Sequence, residues 1–172
     1  MAKIYQIIIN DTLNSYIDEL IAVKDEEFQN ANKRRNEAQN TKKDAGELGD
    51  LRENDEYQRA KHEVSVYSHL AKELRDTLTA LDKFKNSLYK HSGYVSLKSE
   101  VTLSYTSNDG KVPKFNKFIL VIPEAGDVSR GFLPIDSVVG AALLGKKVGD
   151  SIYVETGFHN YTATVAGIDT SF

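Results

Sequence analysis

The chain has 172 residues, no cysteine and a formal net charge of −3, and these values exclude several classes of protein. Without cysteine there is neither a disulfide framework nor a thiolate metal site, which favours a reducing, cytoplasmic setting. The negative charge excludes a protein that coats nucleic acid through bulk electrostatics, so any contact with nucleic acid must be local.

The apolar patch at residues 4–9 is too short to cross a bilayer, and no small-residue cleavage site follows it. We therefore expect no membrane association. The length fits one large domain or two small ones, and the change of sequence character near residue 86 favours two.

The segment from about Thr12 to Lys85 contains no proline, and its only glycines are Gly46 and Gly49. This pattern predicts two helices joined by one turn. In the second helix, apolar residues recur at alternating steps of three and four, the spacing of a coiled-coil seam. These seam residues are Tyr57, Ala60, Val64, Tyr67, Ala71, Leu74, Leu78 and Leu81.

The first helix carries a weaker apolar stripe that thins toward the glycines, so we expect the arms to pair best near their base. Its members are Leu13, Ile17, Leu20, Ile21, Phe28, Ala31 and Ala38. An arm of about thirty residues at about 1.5 Å per residue spans roughly 45 Å. The hairpin must therefore protrude or pack onto something large.

After about Asn86 the period changes to alternation, which predicts strands at 101–105, 117–122, 151–154 and 161–165. A short helix is predicted over 136–144, with Asp136 or Ser137 as its N-cap. The expected fold class is α+β, with an N-terminal antiparallel coiled-coil hairpin followed by a small, mostly antiparallel β domain with one short helix. The predicted boundaries are residues 1–86 for the hairpin, 87–99 for a linker and 100–172 for the β domain.

The predicted hairpin turn is acidic, because residues 42–56 hold six acids and three bases. Asp50 and Glu53, three residues apart at the expected start of the second helix, would share one helix face. Converging carboxylates suit Mg²⁺, which keeps several waters and takes one or two protein ligands. From spacing alone, a second interpretation is favoured, in which Asp50 is an N-cap and Glu53 completes a capping box.

Residues 30–43 are basic, with five cations and one acid. The cations are Lys33, Arg34, Arg35, Lys42 and Lys43. Such a stripe below an acidic end would position a phosphodiester backbone without reading its sequence. On charge counts alone, a solvated helix face paired with acids of the other arm is the favoured alternative.

The segment Gly49-Asp50-Leu51-Arg52-Glu53-Asn54-Asp55-Glu56-Tyr57 resembles the hairpin tip of the Gre family of transcript-cleavage and elongation factors, whose pattern is Gly-Asp-Leu-x-Glu-Asn-x-Glu-Tyr. A second resemblance lies at residues 137–150, where family members tend to have Ser-Pro-Leu-Gly-x-Ala-Leu-Leu-Gly-Lys-x-x-Gly-Asp. Here Val138 replaces the proline, and Ala141 lies where an arginine is common. These two departures concern docking of the β domain more than the tip.

The resemblance implies an FKBP-like β domain that docks at the rim of the secondary channel of RNA polymerase while the coil reaches inward. It implies that Asp50 and Glu53 help hold the polymerase's second Mg²⁺, so that the backtracked 3′ end of nascent RNA is hydrolysed. The chemistry would belong to the polymerase, and this chain, expected as a monomer, would not itself be an enzyme. The expected tip contacts are Leu51, Asn54, Asp55, Glu56 and Tyr57.

Two other functions remain open. A Gre-like inhibitor would occupy the same channel without stimulating cleavage, with the additional acid Asp55 altering how metal is held. A prolyl isomerase would instead need a concave aromatic pocket in the β domain. The aromatic residues available for such a pocket are equally explained as core: Phe115, Phe118, Phe132, Tyr153, Phe158 and Tyr161.

Overall fold

The computed structural model describes residues 2–47, 54–87, 93–105, 114–155 and 160–169. Its helices are α1 (Ala2–Gly46), α2 (Asp55–Asn86) and α3 (Val138–Leu143). Its strands are β1 (Glu100–Tyr105), β2 (Lys114–Val121), β3 (Phe132–Pro134), β4 (Ser151–Glu155) and β5 (Asn160–Asp169). The chain divides into two compact units, residues 14–85 and residues 1–13 with 86–172.

The first unit is a pair of antiparallel helices, as the proline-free sequence predicts. Helix α1 has 45 residues and begins at Ala2, well before the expected start near Thr12. Helix α2 has 32 residues, and all eight of its predicted seam residues are buried or half-buried. Burial of this apolar seam against the other arm supplies the main stabilisation, because isolated helices are only marginally stable in water.

The second unit is a five-stranded sheet with strand order β3-β2-β1-β5-β4. All pairings are antiparallel except that of β2 with β3. The four predicted strands are confirmed, whereas β3 was not predicted. Alternate residues of the strands face a buried core that includes Val101, Leu103, Leu120, Val154 and Val165.

The predicted short helix is confirmed as α3, and Ser137 rather than Asp136 is its N-cap. The Ser137 hydroxyl accepts a hydrogen bond from the Gly140 amide at 3.0 Å and donates one to the Pro134 carbonyl at 2.6 Å. This cap fixes the start of α3 beside the end of β3.

Part of the predicted linker packs on the sheet unit. Val95 is buried in its core. The Val95 amide donates to the carbonyl of Lys146 at 2.8 Å, and its carbonyl accepts from the amide of Gly145 at 2.8 Å. Among the described residues, no helix combines the length and apolar character needed to span a membrane.

Candidate functional site

Cross-arm contacts set the pairing of α1 with α2. Near the base, the Lys85 ammonium forms an ion pair with Asp18. Midway along the arms, Arg34 donates to the Tyr67 hydroxyl at 3.1 Å. The two helices are therefore antiparallel, and the end of α1 lies beside the start of α2.

Asn54 joins the two helices at this end. Its side-chain oxygen accepts from the Tyr57 amide at 2.9 Å, which makes Asn54 the N-cap of α2. Its side-chain amide donates to the carbonyl of Ala45 in the last turn of α1, at 2.8 Å. One side chain thus satisfies an unpaired amide of one helix and an unpaired carbonyl of the other.

A second contact crosses the hairpin at the same level. The Lys42 ammonium lies 5.7 Å from the centroid of the Tyr57 ring, within the range of a cation–π interaction. Ala45 and Ala60 are buried close by. Small side chains allow the two backbones to approach closely here, but they bury little apolar area. The end of the hairpin is therefore held more by polar contacts than by apolar packing.

The predicted basic residues are distributed around α1. Arg35 and Lys42 occupy positions in the α1 seam, between the buried residues Ala31, Ala38 and Ala45. The Nε atom of Arg35 is buried and has no hydrogen-bond partner in the described part of the chain.

The other three cations of the predicted stripe are exposed: Lys33, Arg34 and Lys43. Arg34 also stacks on the Tyr67 ring, with 5.8 Å between the guanidinium carbon and the ring centroid. The hydrogen bond to the Tyr67 hydroxyl is the main cause that raises the pKa of Arg34 above its ordinary value. The charged guanidinium is thus held against α2.

Comparison with known proteins gives two family matches that together span most of the chain. The profile described as "Transcription elongation factor, N-terminal" matches residues 18–82. The profile described as "Transcription elongation factor, GreA/GreB, C-term" matches residues 90–170.

The chain is also 34% identical over 113 residues to transcription elongation factor GreA of Thermotoga neapolitana, covering 66% of this chain and 69% of that protein. This chain belongs to the GreA/GreB family of transcription elongation factors. GreA of Pseudomonas putida is 29% identical over 113 residues, covering 66% of this chain and 68% of that protein. The crystal structure of GreA factor homolog 1 (Gfh1) of Thermus thermophilus aligns with a TM-score of 0.39 and 21% identity, covering 87% of this chain and 94% of that chain.

Family membership confirms the resemblance seen at the tip motif, whereas the prediction that Asp50 and Glu53 begin the second helix is wrong. Helix α2 begins at Asp55, with Asn54 as its N-cap. The capping-box interpretation concerns Asp50 and Glu53 themselves, which lie outside the described residues, and it stays a prediction. The side-chain amide of Asn54 also reaches the carbonyl of Ala45 across the hairpin.

The predicted tip residues fall into two groups. Asp50, Leu51 and Glu53 lie outside the described residues. Asp55 and Glu56 are exposed in the first turn of α2, where acids are favoured by the helix dipole. Within the described residues, no group of three or more potential ligands could hold a metal ion.

In the sheet unit, the family's second motif surrounds α3. Val138, in place of the proline common in the GreA/GreB family, begins α3 and is 61% exposed. Proline at this first helical position fixes φ near its helical value, so valine gives up that preorganisation. Ala141 is also exposed.

A cavity of about 380 Å³ lies at one end of the inner face of the sheet. The residues that line it come from three strands of the antiparallel sheet, from β3, from α3 and from the 3₁₀ turn Val128–Arg130: Tyr105, Asn116, Phe118, Val128, Leu133, Val139 and Tyr161. The rings of Tyr105 and Tyr161 are tilted, with centroids 5.4 Å apart. Burial is the main cause that raises the pKa of Tyr105, so its hydroxyl remains a neutral donor. This concave aromatic lining is the feature that the isomerase hypothesis requires.

Proposed function

We propose that this chain binds RNA polymerase in its secondary channel and stimulates Mg²⁺-dependent cleavage of backtracked nascent RNA. The observation that carries the proposal is the sequence Gly49–Tyr57, which matches the family's tip pattern and connects two helix ends that Asn54 bridges. The acid-bearing segment thus begins and ends at one end of a long helical hairpin. Because the cleavage chemistry belongs to the polymerase, this chain is not itself an enzyme.

The donor set of the tip fits a shared Mg²⁺ ion. Asp50 and Glu53 supply hard carboxylate oxygens, which Mg²⁺ prefers, and two ligands leave coordination positions for the polymerase and water. A second metal ion in such a site stabilises the attacking and leaving oxygens of a phosphodiester displacement. The contribution of this chain is to supply these two carboxylates from the segment that joins the two arms of the hairpin.

The exposed cations below the tip are suited to hold the RNA backbone. Lys33 and Lys43 are solvent-exposed and Arg34 is fixed by Tyr67, so all three present positive charge at the surface. In this proposal they attract phosphates without reading bases. Arg35 and Lys42, which lie in the seam, contribute first to the pairing of the arms and second to the local positive potential.

Docking by the sheet unit completes the proposal. The family's second motif includes the exposed residue Val138, and its cap Ser137 fixes this part of the surface. We place the contact with the rim of the polymerase channel there. The factor acts as a monomer in the cytoplasm, where the polymerase works.

The test is RNA cleavage in a stalled, backtracked elongation complex with Mg²⁺. Three samples are compared: no factor, this protein, and the Asp50→Ala plus Glu53→Ala variant. Binding of each protein to the polymerase is measured separately in a competition assay. The proposal predicts acceleration by the protein and none by a variant that still binds. Failure of the intact protein to accelerate cleavage while bound contradicts it.

The same assay separates the inhibitor alternative. Asp55 is exposed at the start of α2 and adds a third acid beside the two expected ligands. If this acid holds the metal in an unproductive position, the protein binds the polymerase but slows both cleavage and elongation. The variant Asp55→Asn then relieves the inhibition. If Asp55→Asn leaves acceleration by the protein unchanged, Asp55 has no such role.

A second candidate function rests on the cavity of the sheet unit. Its aromatic lining and neutral Tyr105 hydroxyl suit a proline ring flanked by peptide carbonyl groups. The measurement is cis–trans exchange of a short proline-containing peptide by NMR, with the rim variant Val128→Asp as control. Catalysed exchange that the variant abolishes supports this candidate, and exchange at the uncatalysed rate removes it.

A further inference from the structure

Asn54 makes two hydrogen bonds with different purposes. The bond from the Tyr57 amide lies within α2 and caps that helix. The bond to the carbonyl of Ala45 crosses from one arm to the other. An N-cap needs only a side-chain acceptor, which Asp or Ser supplies equally well. The amide donor of Asn54 is therefore superfluous for capping, and its only described partner is on the other arm.

The cross-arm bond lies where the seam of α1 carries only small or basic side chains. The seam of α1 ends in alanine and cationic residues, with Ala38, Lys42 and Ala45 in succession. Alanine buries little apolar area, so side-chain packing alone sets the separation of the helix ends only loosely. The bonds of Asn54 and the Lys42–Tyr57 contact supply the directional restraint that apolar contacts lack.

We propose that Asn54 is a positioning residue that fixes the spacing between the end of α1 and the start of α2, the two helix ends that the sequence 48–53, with Asp50 and Glu53, connects. The part that concerns RNA cleavage rests on the proposed function. Asn54 itself touches neither metal nor RNA in this proposal. It acts through the backbone of the two helix ends.

The change Asn54→Asp separates the two roles of the side chain. Aspartate keeps the acceptor for the Tyr57 amide and is as good an N-cap, but it removes the donor to the Ala45 carbonyl. Asn54→Ser also keeps an N-cap acceptor and adds no charge, and its side chain is shorter by one bond than the amide that reaches the Ala45 carbonyl. The matched control is Asn32→Asp, because the Asn32 amide donates to the carbonyl of Phe28 within α1 at 3.1 Å and joins no arms.

The first measurement is the distance across the end of the hairpin. Since the chain has no cysteine, spin labels can be attached only where wanted, at Asp44→Cys and Arg59→Cys, two exposed positions on opposite arms. Double electron–electron resonance should give a narrow distance distribution for the parent and for Asn32→Asp. Asn54→Asp and Asn54→Ser should broaden it. An unchanged distribution in both Asn54 variants overturns the proposal, whatever their activity.

The second measurement is cleavage of backtracked RNA at saturating factor, without labels. Because a displacement of about 1 Å of reacting groups costs on the order of a hundredfold in rate, we expect the maximal rate to fall at least tenfold in both variants. The concentration for half-maximal effect should stay unchanged, and the Mg²⁺ requirement should rise. A changed half-maximal concentration with an unchanged maximal rate contradicts the positioning role. If the parent protein itself does not stimulate cleavage, the proposed function fails, and the spin-label distances alone decide whether Asn54 sets the spacing.

Discussion

Gly140 approaches the carbonyl of Pro134 so closely that a β-carbon at residue 140 would lie 2.0 Å from the Pro134 oxygen. The same carbonyl accepts the hydroxyl of Ser137, the cap of α3. The glycine of the family's second motif is therefore required by the contact between α3 and the end of β3. Its conformational freedom is not the reason.

The variant Gly140→Ala should destabilise the sheet unit. Alanine is the better helix former by about 1 kcal/mol, but the clash involves backbone and can be relieved only by moving α3. We expect a net loss of about 1–3 kcal/mol, as for other overpacked sites. Chemical denaturation followed by a probe in the sheet unit measures it. The control is Ala141→Gly, at the exposed neighbouring position, which should lower the free energy of unfolding by no more than about 1 kcal/mol. A Gly140→Ala protein that is more stable than the parent would contradict the predicted clash.

The variant Arg35→Leu should stabilise the hairpin. Arg35 occupies a seam position, and its buried Nε has no partner in the described part of the chain. Leucine removes this unsatisfied donor and adds apolar area to the seam, which is worth about 1 kcal/mol. The free energy of unfolding of the hairpin, followed by far-ultraviolet circular dichroism, should rise by that amount. Lys33→Leu, at an exposed position, should leave it within about 0.5 kcal/mol, and a less stable Arg35→Leu protein would show that the cation strengthens the seam.

The α1 seam shows why an apolar pattern underestimates a coiled coil. Counting only apolar residues, the stripe of α1 thins toward Gly46. In the structure every position at alternating steps of four and three is buried or half-buried, and some of these positions carry Lys24, Arg35 and Lys42. Long basic side chains can lay their methylene stems along a seam and leave the charge near water. The seam positions of α1 thus remain buried or half-buried even where their residues are not apolar.

The start of α2 could not be located from local spacing either. Asp50 and Glu53 have the spacing of a capping box, and Asn54 is also a good N-cap residue. Asn54 also bonds the carbonyl of Ala45, a contact between arms that local spacing does not reveal. Strand β3 was not predicted because it is only three residues long and ends in Pro134, so it shows no alternating pattern. The four longer strands followed from alternation, and α3 followed from the run 136–144 with Asp136 or Ser137 as its candidate cap.

Titration of Tyr105 should set the alkaline stability of the sheet unit. Burial, and secondarily Tyr161, raise the pKa of Tyr105 above its ordinary value of about 10. The neutral phenol is therefore favoured in the folded state. Its contribution is complete below pH of about 10 and is lost as pH rises through the raised pKa of the folded protein, since the unfolded chain ionises first.

Absorbance of phenolate at 295 nm, measured against pH, checks this prediction. Tyr105 should titrate late and together with unfolding of the sheet unit. Tyr105→Phe should remove that late step, whereas Tyr153→Phe, at an exposed position of β4, should leave it in place. A late step that survives in Tyr105→Phe would assign it to another tyrosine.

Reversing the charge of Lys43 should weaken the hold on RNA without weakening docking. Lys43 is exposed in the last turn of α1, close to the acid-bearing segment, and in the proposed function it contacts a phosphate. Lys43→Glu should lower RNA cleavage at saturating factor by about tenfold, the effect of roughly 1.4 kcal/mol at 25 °C. It should also reduce the slope of log rate against log salt by about 0.7, the value for one phosphate contact to a single strand.

The control is Lys72→Glu, which makes the same charge change at an exposed position farther along α2. It should leave the cleavage rate and the salt slope unchanged. Equal losses in the two variants would mean that the chain's overall charge governs cleavage and that Lys43 makes no phosphate contact.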